Sequence, residues 1–363
     1  MTGTDDSRLP VLIVAGFLGS GKTTLLRAAL QRSDLKRTLV IVNEAASQGV
    51  DDRLLATTGE PVVLLGNGCL CCSVNDDLGR ALLRIAEDES LLGSVDRIVI
   101  ETSGLADPAP AFAALARGGQ VSSRMRLQAI VTLVDAMHAE KQLHESPEFR
   151  LQLQAADRIL VSKLDLPGAA SLAAVRELVE QVNPAAAVEI AEANALAQLI
   201  HRGCHERADQ LAAGWRSSSN GLQGGRLRLL TPSRLGVRRH ASDVRSFCLE
   251  FEDRMDWNAL SVWLSLMLHV YGSQLLRIKG FIGVEQGAAP IVIHCVRHVV
   301  HFPEHLAAWP DERRTSYLVF IARGLDPQQV LRSLHAFTGG AGALAKVERP
   351  GEPHRHALEA ASS

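Results

Sequence analysis

Short apolar runs alternate with amphipathic stretches along the first half of the chain. The apolar runs carry few charges, which is typical of strands that are buried on both faces of a parallel sheet. They predict strands at 9–14, 38–42, 61–65, 97–100, 127–134, 158–161 and 187–190. The amphipathic stretches predict helices at 22–31, 76–87, 109–116 and 172–181. This alternation predicts an α/β fold with a doubly wound, mostly parallel sheet.

The pattern changes after residue 213. Residues 214–240 contain a run of serines and six Arg but no acidic residue, which favours an interdomain linker. Beyond them the order becomes strand, helix, three strands and helix, which predicts a smaller α+β domain. These elements fall at 244–251, 257–271, 275–284, 291–300, 316–321 and 327–337. The predicted organisation is therefore residues 1–213, a linker at 214–240, a second domain at 241–338, and a disordered tail at 339–363.

Composition narrows the function classes. The 363 residues include 38 basic and 40 acidic side chains, so net charge gives no support for a nucleic-acid or membrane-surface protein. No apolar run is long enough to span a bilayer, and the polar start of the chain lacks the order of a secretory signal, so we expect a cytoplasmic protein. Thiols stay reduced there, and clustered cysteines favour metal or redox chemistry over disulfides.

The strongest motif is a phosphate-binding loop, G-x-x-x-x-G-K-T, between a predicted strand and a predicted helix. Glycines let the backbone approach phosphate oxygens, and backbone N–H groups at the helix start supply positive potential. Lys22 is expected to reach the β- and γ-phosphates, and the Thr23 hydroxyl to ligate Mg²⁺. The predicted nucleotide-binding residues here are Gly16, Gly19, Ser20, Gly21, Lys22, Thr23 and Thr24.

A second phosphate-facing element is the strand at 97–100 with the Glu-Thr-Ser-Gly sequence that follows it. Ligands of open α/β sheets bind at the carboxyl ends of the strands. Glu101 is therefore predicted to hold Mg²⁺ or position the attacking water. The amide of Gly104 is predicted to meet the γ-phosphate.

A Ser-Lys-Leu-Asp sequence follows the strand at 158–161. GTPases use N-K-x-D at this place, where the aspartate accepts hydrogen bonds from guanine N1–H and N2. Adenine offers no such pair of donors, so Lys163 and Asp165 predict guanine specificity. Ser162 replaces the usual asparagine, and its amide contacts are expected to be lost.

Three of the six cysteines, Cys69, Cys71 and Cys72, lie between a predicted strand and a predicted helix. Thiols near a helix N-terminus have a lowered pKa, which favours the thiolate that binds metal. Three sulfurs leave a tetrahedral site incomplete, and an open position suits transfer better than permanent structural binding. Buried small side chains or a redox switch are the alternative interpretations.

Together these motifs resemble the CobW-type GTPases, a family of P-loop metal-insertion chaperones. The resemblance rests on GFLGSGKTT, NGCLCC, ETSGLADP and SKLDL, and continues into LLRIKG at 275–280 and WPD at 309–311. It covers about residues 9–337. It implies that the nucleotide is GTP, that the cation is Mg²⁺, and that Cys69, Cys71 and Cys72 bind a transition metal.

One segment departs from that family. The family's switch commonly has the sequence N-E-F-G-E, whereas this chain has Asn43-Glu44-Ala45-Ala46-Ser47. Glu44 remains as a candidate ligand near metal or nucleotide, but Ser47 replaces the second glutamate. Asp51 keeps the family's downstream acidic position. The departure leaves metal identity and coupling to GTP open.

Several histidines are weaker candidates for metal binding or for contact with a partner. His201, Cys204 and His205 could share a helix face, and His294 and His298 could share a strand face. A solvated helix surface and ordinary sheet or loop positions explain these two groups better. The other histidines considered are His301, His305, His354 and His356.

The sequence thus predicts a slow GTPase that binds a transition metal and delivers it to a client metalloprotein or a metal-cofactor pathway enzyme. Zn²⁺ suits three thiolates, while Co²⁺ and Fe²⁺ stay open. We expect a monomer or weak homo-oligomer without nucleic-acid or membrane partners. The alternatives are a redox- or partner-regulated GTP-binding module and a P-loop kinase for a small molecule, but a kinase leaves S-K-L-D and C-x-C-C unexplained.

Overall fold

The computed structural model describes residues 7–43, 62–65, 74–116, 118–183, 185–202, 227–230, 244–251, 254–285, 287–301, 303–306, 308–309 and 314–338. Within these residues the first half forms one seven-stranded sheet in which every pairing is parallel. Its strand order is β3-β2-β4-β1-β5-β6-β7. The strands are β1 (Leu9–Gly16), β2 (Thr38–Asn43), β3 (Val62–Leu65), β4 (Arg97–Thr102), β5 (Met125–Asp135), β6 (Arg158–Ser162) and β7 (Ala187–Ile190).

Helices cover both faces of this sheet, which confirms the predicted doubly wound α/β class. Successive side chains of a strand point to opposite faces. Accordingly Ile13 of β1 packs with Leu82 and Phe112, whereas Leu12 packs on the other face with Leu26. The helices are α1 (Lys22–Leu30), α2 (Val74–Glu87), α3 (Glu89–Ser94), α4 (Ala109–Ala116), α5 (Gln120–Arg124), α6 (Ala139–Glu145), α7 (Pro147–Ala155), α8 (Leu172–Glu180) and α9 (Ala193–Arg202).

The second half forms an antiparallel sheet with the order β12-β11-β10-β14-β9-β8, and β13 also pairs with β11. Its core includes Phe247 stacked on Phe320, with Trp263 edge-on to the same ring. The elements are β8 (Leu227–Leu230), β9 (Val244–Phe251), α10 (Trp257–Tyr271), β10 (Leu275–Ile282), β11 (Ile291–Val296), β12 (Val299–Val300), β13 (Glu304–His305), β14 (Ser316–Arg323) and α11 (Pro327–Thr338).

Two predictions in this half were wrong in detail. Leu227–Leu230, placed in the linker, is an edge strand, because its backbone pairs antiparallel with β9. The strand predicted at 291–300 is two strands joined by a turn at Arg297 and His298. Arg297 has a φ of 54°, a left-handed conformation that its residue type does not announce. The remainder of the linker and the tail lie outside the described residues.

A buried ion cluster joins the two sheets. Asp157, in the loop between α7 and β6, accepts a hydrogen bond from the Ile130 amide at 2.8 Å. Its other carboxylate oxygen contacts Arg277 at 2.5 Å and also Lys279, both on β10. Although burial alone raises the pKa of Asp157, Arg277 and Lys279 hold it well below its ordinary value, so the carboxylate is charged.

His301 and Arg297 make two further contacts between the sheets. The Nε2 of His301 accepts the Leu127 amide at 3.2 Å, and its ring lies 6.0 Å from that of Phe112. Arg297 pairs with Asp107 at 2.8 Å. The second sheet is therefore bound directly to β5, to α4 and to the loop that follows β4.

Candidate functional site

The phosphate loop connects the carboxyl end of β1 to the start of α1. Gly16 has a φ of 147°, and a Cβ there would lie 2.6 Å from the Leu133 carbonyl of β5, so the backbone packs too closely for a side chain. The Nζ of Lys22 donates to the carbonyls of Gly16 and Phe17 at 2.8 and 3.3 Å. The ammonium therefore lies inside the curve of the loop, at the N-terminus of a helix, where an anion is favoured.

The fold brings together Thr23, in the first turn of α1, and Glu101, near the end of β4. Glu101 is buried near the end of β4, next to β1 in the sheet, and its Oε1 accepts a hydrogen bond from the Thr23 hydroxyl at 2.6 Å. The residues are 78 positions apart in sequence. A hydroxyl and a carboxylate side by side form a pair of hard oxygen donors, the type that Mg²⁺ prefers.

Gly104 lies against the phosphate loop. A Cβ on Gly104 would lie 2.6 Å from Leu18 Cδ2 and 2.9 Å from Leu18 Cα. Gln152 of α7 fixes this loop from behind, because its Nε2 donates to the carbonyls of Gly104 and Ala106 at 3.1 and 3.0 Å. The sequence offered no signal for Gln152, since α7 was not predicted and its buried positions include two glutamines instead of an apolar stripe.

Ser162 joins the base-binding turn to the phosphate loop. Its hydroxyl donates to the Ser20 carbonyl at 2.8 Å, across 142 residues of sequence. The expectation was that serine here loses the contacts of an asparagine amide. The hydroxyl nonetheless makes a direct bond between the two loops, so this departure from N-K-x-D retains a link.

Lys163 is held by a residue that sequence reasoning missed. It has a φ of 60°, and its Nζ lies 2.7 Å from the Oδ2 of Asp135, at the end of β5. His138 Nδ1 lies 3.1 Å from the same oxygen. Burial alone raises the pKa of Asp135, but the hydrogen bonds of Lys163 and His138 outweigh it and lower that pKa. The only sequence signal for Asp135 is its place at the end of an apolar strand.

Asp165 follows in the same turn, and its side chain is exposed to solvent. The predicted residues of the phosphate loop, Glu101, Gly104, Lys163 and Asp165 lie at or just beyond the carboxyl ends of β1, β4 and β6. Open α/β sheets bind ligands at that edge. The structure thus gathers the described candidates around one edge, with an anion-binding end at the loop and an acidic end at Asp165.

The predicted metal residues Cys69, Cys71, Cys72 and Glu44 lie outside the described residues, as do Cys204, His205, His354 and His356. The described residues contain no group of three or more side chains arranged to hold a metal ion. His294 and His301 instead belong to the contact between the sheets. Burial and the charges of Lys279 and Arg277 hold the pKa of His294 well below its ordinary value, so it is neutral there.

None of the helices that the structure describes is long and apolar enough to cross a membrane.

Cys295, on β11, is buried, and burial raises the pKa of its thiol. A thiol held protonated in this way is poorly suited to metal binding or redox exchange.

Comparison with known proteins agrees with this geometry. Residues 10–189 match the family described as CobW/HypB/UreG, nucleotide-binding domain, and residues 244–338 match the cobalamin synthesis protein cobW C-terminal domain. The chain is 29% identical over 334 residues to the zinc chaperone YjiA of Escherichia coli, covering 91% of this chain and 98% of that protein. It is 35% identical over 182 residues to the zinc-regulated GTPase metalloprotein activator 1 of Schizosaccharomyces pombe, covering 48% of this chain and 44% of that protein.

Structural comparison gives the same fold. The crystal structure of Zn(II)-bound YjiA GTPase from E. coli aligns with a TM-score of 0.59 and 23% identity, over 91% of this chain and 99% of that chain. The two matched segments occur in the same order as the two sheets described above. The chain therefore belongs to the CobW family, with a CobW/HypB/UreG nucleotide-binding domain followed by a CobW C-terminal domain.

Proposed function

We propose that this protein is a GTP-hydrolysing zinc chaperone that delivers its metal to a client protein. The observation that supports it most is the assembled nucleotide site: a lysine inside the phosphate loop, a Thr23–Glu101 oxygen pair, and a base-binding turn bonded to the loop through Ser162. The relatives named zinc chaperone and zinc-regulated GTPase supply the direction of the proposal.

The phosphate end works through position and charge. The ammonium of Lys22 and the amides at the start of α1 face the β- and γ-phosphates and stabilise the charge that develops as the γ-phosphoryl leaves. Thr23 and Glu101 would hold Mg²⁺, which neutralises phosphate oxygens when bound. The reaction consumes GTP and water and yields GDP and phosphate.

The base end selects guanine. The exposed carboxylate of Asp165 accepts from guanine N1–H and N2, for which adenine has no equivalent donors. Lys163 is fixed by Asp135 in a left-handed backbone conformation, so its aliphatic stem is held still beside the base. Ser162 keeps this turn in register with the phosphate loop, because its hydroxyl binds the Ser20 carbonyl.

The zinc is cargo, and Cys69, Cys71 and Cys72 are its proposed ligands. The chain leaves β3 at Leu65 and enters α2 at Val74, so the cysteine segment starts from the same sheet edge as the phosphate loop. β3 lies three strand positions from β1, which is about 14 Å at ~4.8 Å per strand. Three thiolates suit Zn²⁺ and leave a coordination position open for transfer, with Co²⁺ and Fe²⁺ as competitors.

Two segments are proposed to respond to the nucleotide: the loop that begins at Gly104 and the switch segment after Asn43. The γ-phosphate binds the Gly104 amide in the GTP state, and its departure removes that contact. Glu44, in the switch segment after Asn43, stays a candidate ligand near the metal or the nucleotide. Loss of these contacts loosens the thiolate site and releases zinc to the client.

Zinc titration against a chromogenic chelator, combined with phosphate-release kinetics, tests this function. Wild type should bind one zinc per chain and hydrolyse GTP but not ATP. Cys71→Ser/Cys72→Ser should lose at least ~100-fold in zinc affinity and still bind GTP. Cys204→Ser removes a thiol outside the cluster and serves as the matched control.

Lys22→Ala separates GTP hydrolysis from zinc binding, because it should abolish hydrolysis and leave the zinc-binding thiols intact. Equal zinc affinity in wild type and in the double cysteine variant would overturn the metal assignment. Equal hydrolysis of ATP and GTP would overturn the role given to Asp165.

A further inference from the structure

A cleft of about 890 Å³ lies where the domains of the two sheets meet, and its lining includes none of the candidate nucleotide-binding residues. Its lining comes from α7 on one side and from α10, β10, β14 and the β11–β12 turn on the other. Half of its lining residues are basic or polar, the rest are apolar or glycine, and no Asp or Glu lines it among the residues that the structure describes. The lining residues that matter most are Leu151, Ser265, His269, Arg297, His298 and Arg323.

The basic side chains of this cleft are wholly or partly exposed to solvent. Arg323 is exposed at the end of β14 and makes no side-chain ion pair with any described residue. Arg297 is partly exposed and held in its left-handed turn conformation, with one nitrogen on Asp107. His269 and His298 are exposed beside them. Such an arrangement offers several donors to carboxylates, with Asp107 as the one anion that pairs with a basic side chain of the cleft among the described residues.

An apolar stripe adjoins the cleft along α10. Val262, Leu266 and Val270 are 53%, 45% and 62% exposed, and they follow one another at four-residue spacing on one helix face. The opposite face of α10 is the one that packs into the domain core, through Leu260, Trp263 and Met267. Val270 also lines the cleft, so the apolar stripe and the cationic cleft form one continuous surface.

We propose that this surface is a docking site for an acidic amphipathic segment of a partner protein. Its apolar side chains would cover Val262, Leu266 and Val270, while its carboxylates pair with Arg323 and Arg297. Charge complementarity favours this occupant over a basic or neutral one. An apolar row at four-residue spacing matches the way an amphipathic helix binds along a surface.

The cleft also contacts the nucleotide switch. Arg297 pairs with Asp107, three residues beyond Gly104, and Leu151 of the cleft precedes Gln152, which holds the Gly104 and Ala106 carbonyls. A carboxylate that draws Arg297 from Asp107 therefore alters the restraint on the Gly104 loop. Occupancy of the cleft is thereby coupled to GTP turnover, and this coupling rests on the function proposed above for that loop.

Fluorescence anisotropy with a labelled peptide tests docking by itself. The probe is a helical peptide with leucines at four-residue spacing and glutamates beside them. Wild type should bind it in a salt-sensitive manner. Arg323→Glu should weaken binding by at least ~10-fold, and Leu266→Ser by about fivefold. Arg84→Glu, an exposed arginine on α2, is the matched control.

Docking would be overturned if wild type does not bind the peptide, if binding is unchanged in Arg323→Glu, or if inorganic phosphate competes equally, which identifies a small-anion site. Loss of peptide binding as the protein self-associates would assign the surface to a second copy and also overturn it. Because the probe binds without zinc or GTP, these outcomes are distinct from failure of the chaperone function.

Hydrolysis rates with saturating peptide test the coupling. The peptide should change kcat in wild type, and Asp107→Asn should bind the peptide with a Kd within about twofold of wild type but lose the change in kcat. A peptide that binds wild type and leaves both kcat and KM unaltered would contradict the coupling.

Discussion

Removing the carboxylate of Asp157 should destabilise the protein and separate the unfolding of its two domains. The side chain is 2% exposed and binds Arg277 at 2.5 Å, Lys279, and the Ile130 amide at 2.8 Å. Asp157→Ala leaves two cations in the domain contact without their anion. Breaking one partner of a buried ion pair costs about 3–5 kcal/mol, and the orphaned amide adds about 1–3 kcal/mol.

That loss is a large part of a typical free energy of unfolding of about 5–15 kcal/mol. Because the cluster connects β5 and β6 with β10, we also expect a single urea transition to divide into two. Tryptophan fluorescence reports the second domain through Trp263, and circular dichroism reports both. Nucleotide binding should persist, since Asp157 lies outside the GTP site.

A triple variant is the matched control. Asp157→Leu with Arg277→Met and Lys279→Met replaces the whole cluster by apolar side chains, and such replacements are often neutral in stability. It should recover most of the loss of Asp157→Ala. A stability change below about 1 kcal/mol in Asp157→Ala, or a triple variant no better than the single one, would refute the role of this cluster.

Acid dependence gives a further check with a definite sign. The folded-state pKa of Asp157 is far below its ordinary value of 3.8, so its stabilisation is present above that value and is lost only as the pH falls toward the folded-state pKa. The stability difference between wild type and Asp157→Ala should therefore be constant from neutral pH down to about pH 5 and shrink below about pH 4. A difference that vanishes near neutrality contradicts this reasoning.

Three further predictions concern single residues. Gly104→Ala should lower kcat for GTP hydrolysis at least ~10-fold, with a smaller effect on GTP affinity, because its Cβ collides with the Leu18 backbone. Unchanged turnover in a stopped-flow assay would contradict this prediction. Ser162→Ala should weaken GTP binding about fivefold by leaving the Ser20 carbonyl without its donor, whereas Ser162→Asn should restore binding in a calorimetric titration; equal affinity of all three proteins would argue against the link. His294 is neutral because its pKa is held below 6.5, so the free energy of unfolding should fall as the pH drops below that value, by up to ~1.4 kcal/mol per pH unit. His294→Leu should flatten this dependence on pH. Parallel pH profiles of wild type and variant in urea melts would exclude His294 as its origin.

The first sheet could be predicted from sequence because its strands are short apolar runs and its central strands are buried on both faces. β1 and β4 illustrate this, since nearly all of their side chains lie in the interior. The phosphate loop was equally accessible, because its glycines and Lys22 have a fixed spacing. Ser162 lay in a recognised motif, but its bond to Ser20 depends on how two strand ends meet.

The contacts that join the domains could not be predicted. Asp157 and Arg277 are 120 residues apart, and neither lies in a pattern that indicates burial. Arg297 occupies a left-handed turn position where glycine or asparagine is the usual signal, so the interruption after β11 gave no warning. Helix α7 buries Gln152 and Gln154, so its interior face does not follow an apolar pattern, yet it supplies Gln152 and Leu151.

If the nucleotide controls zinc binding, the affinity for zinc should differ between the GTP-bound and GDP-bound states of the protein. The same protein is titrated with zinc in competition with a chelator, once with Mg²⁺ and a non-hydrolysable GTP analogue and once with Mg²⁺ and GDP. We predict tighter zinc binding in the GTP-analogue state by at least ~10-fold, a coupling free energy of about 1.4 kcal/mol, with the reciprocal gain in nucleotide affinity when zinc is bound. Equal zinc affinities in the two states would contradict the proposed control of zinc binding by the nucleotide.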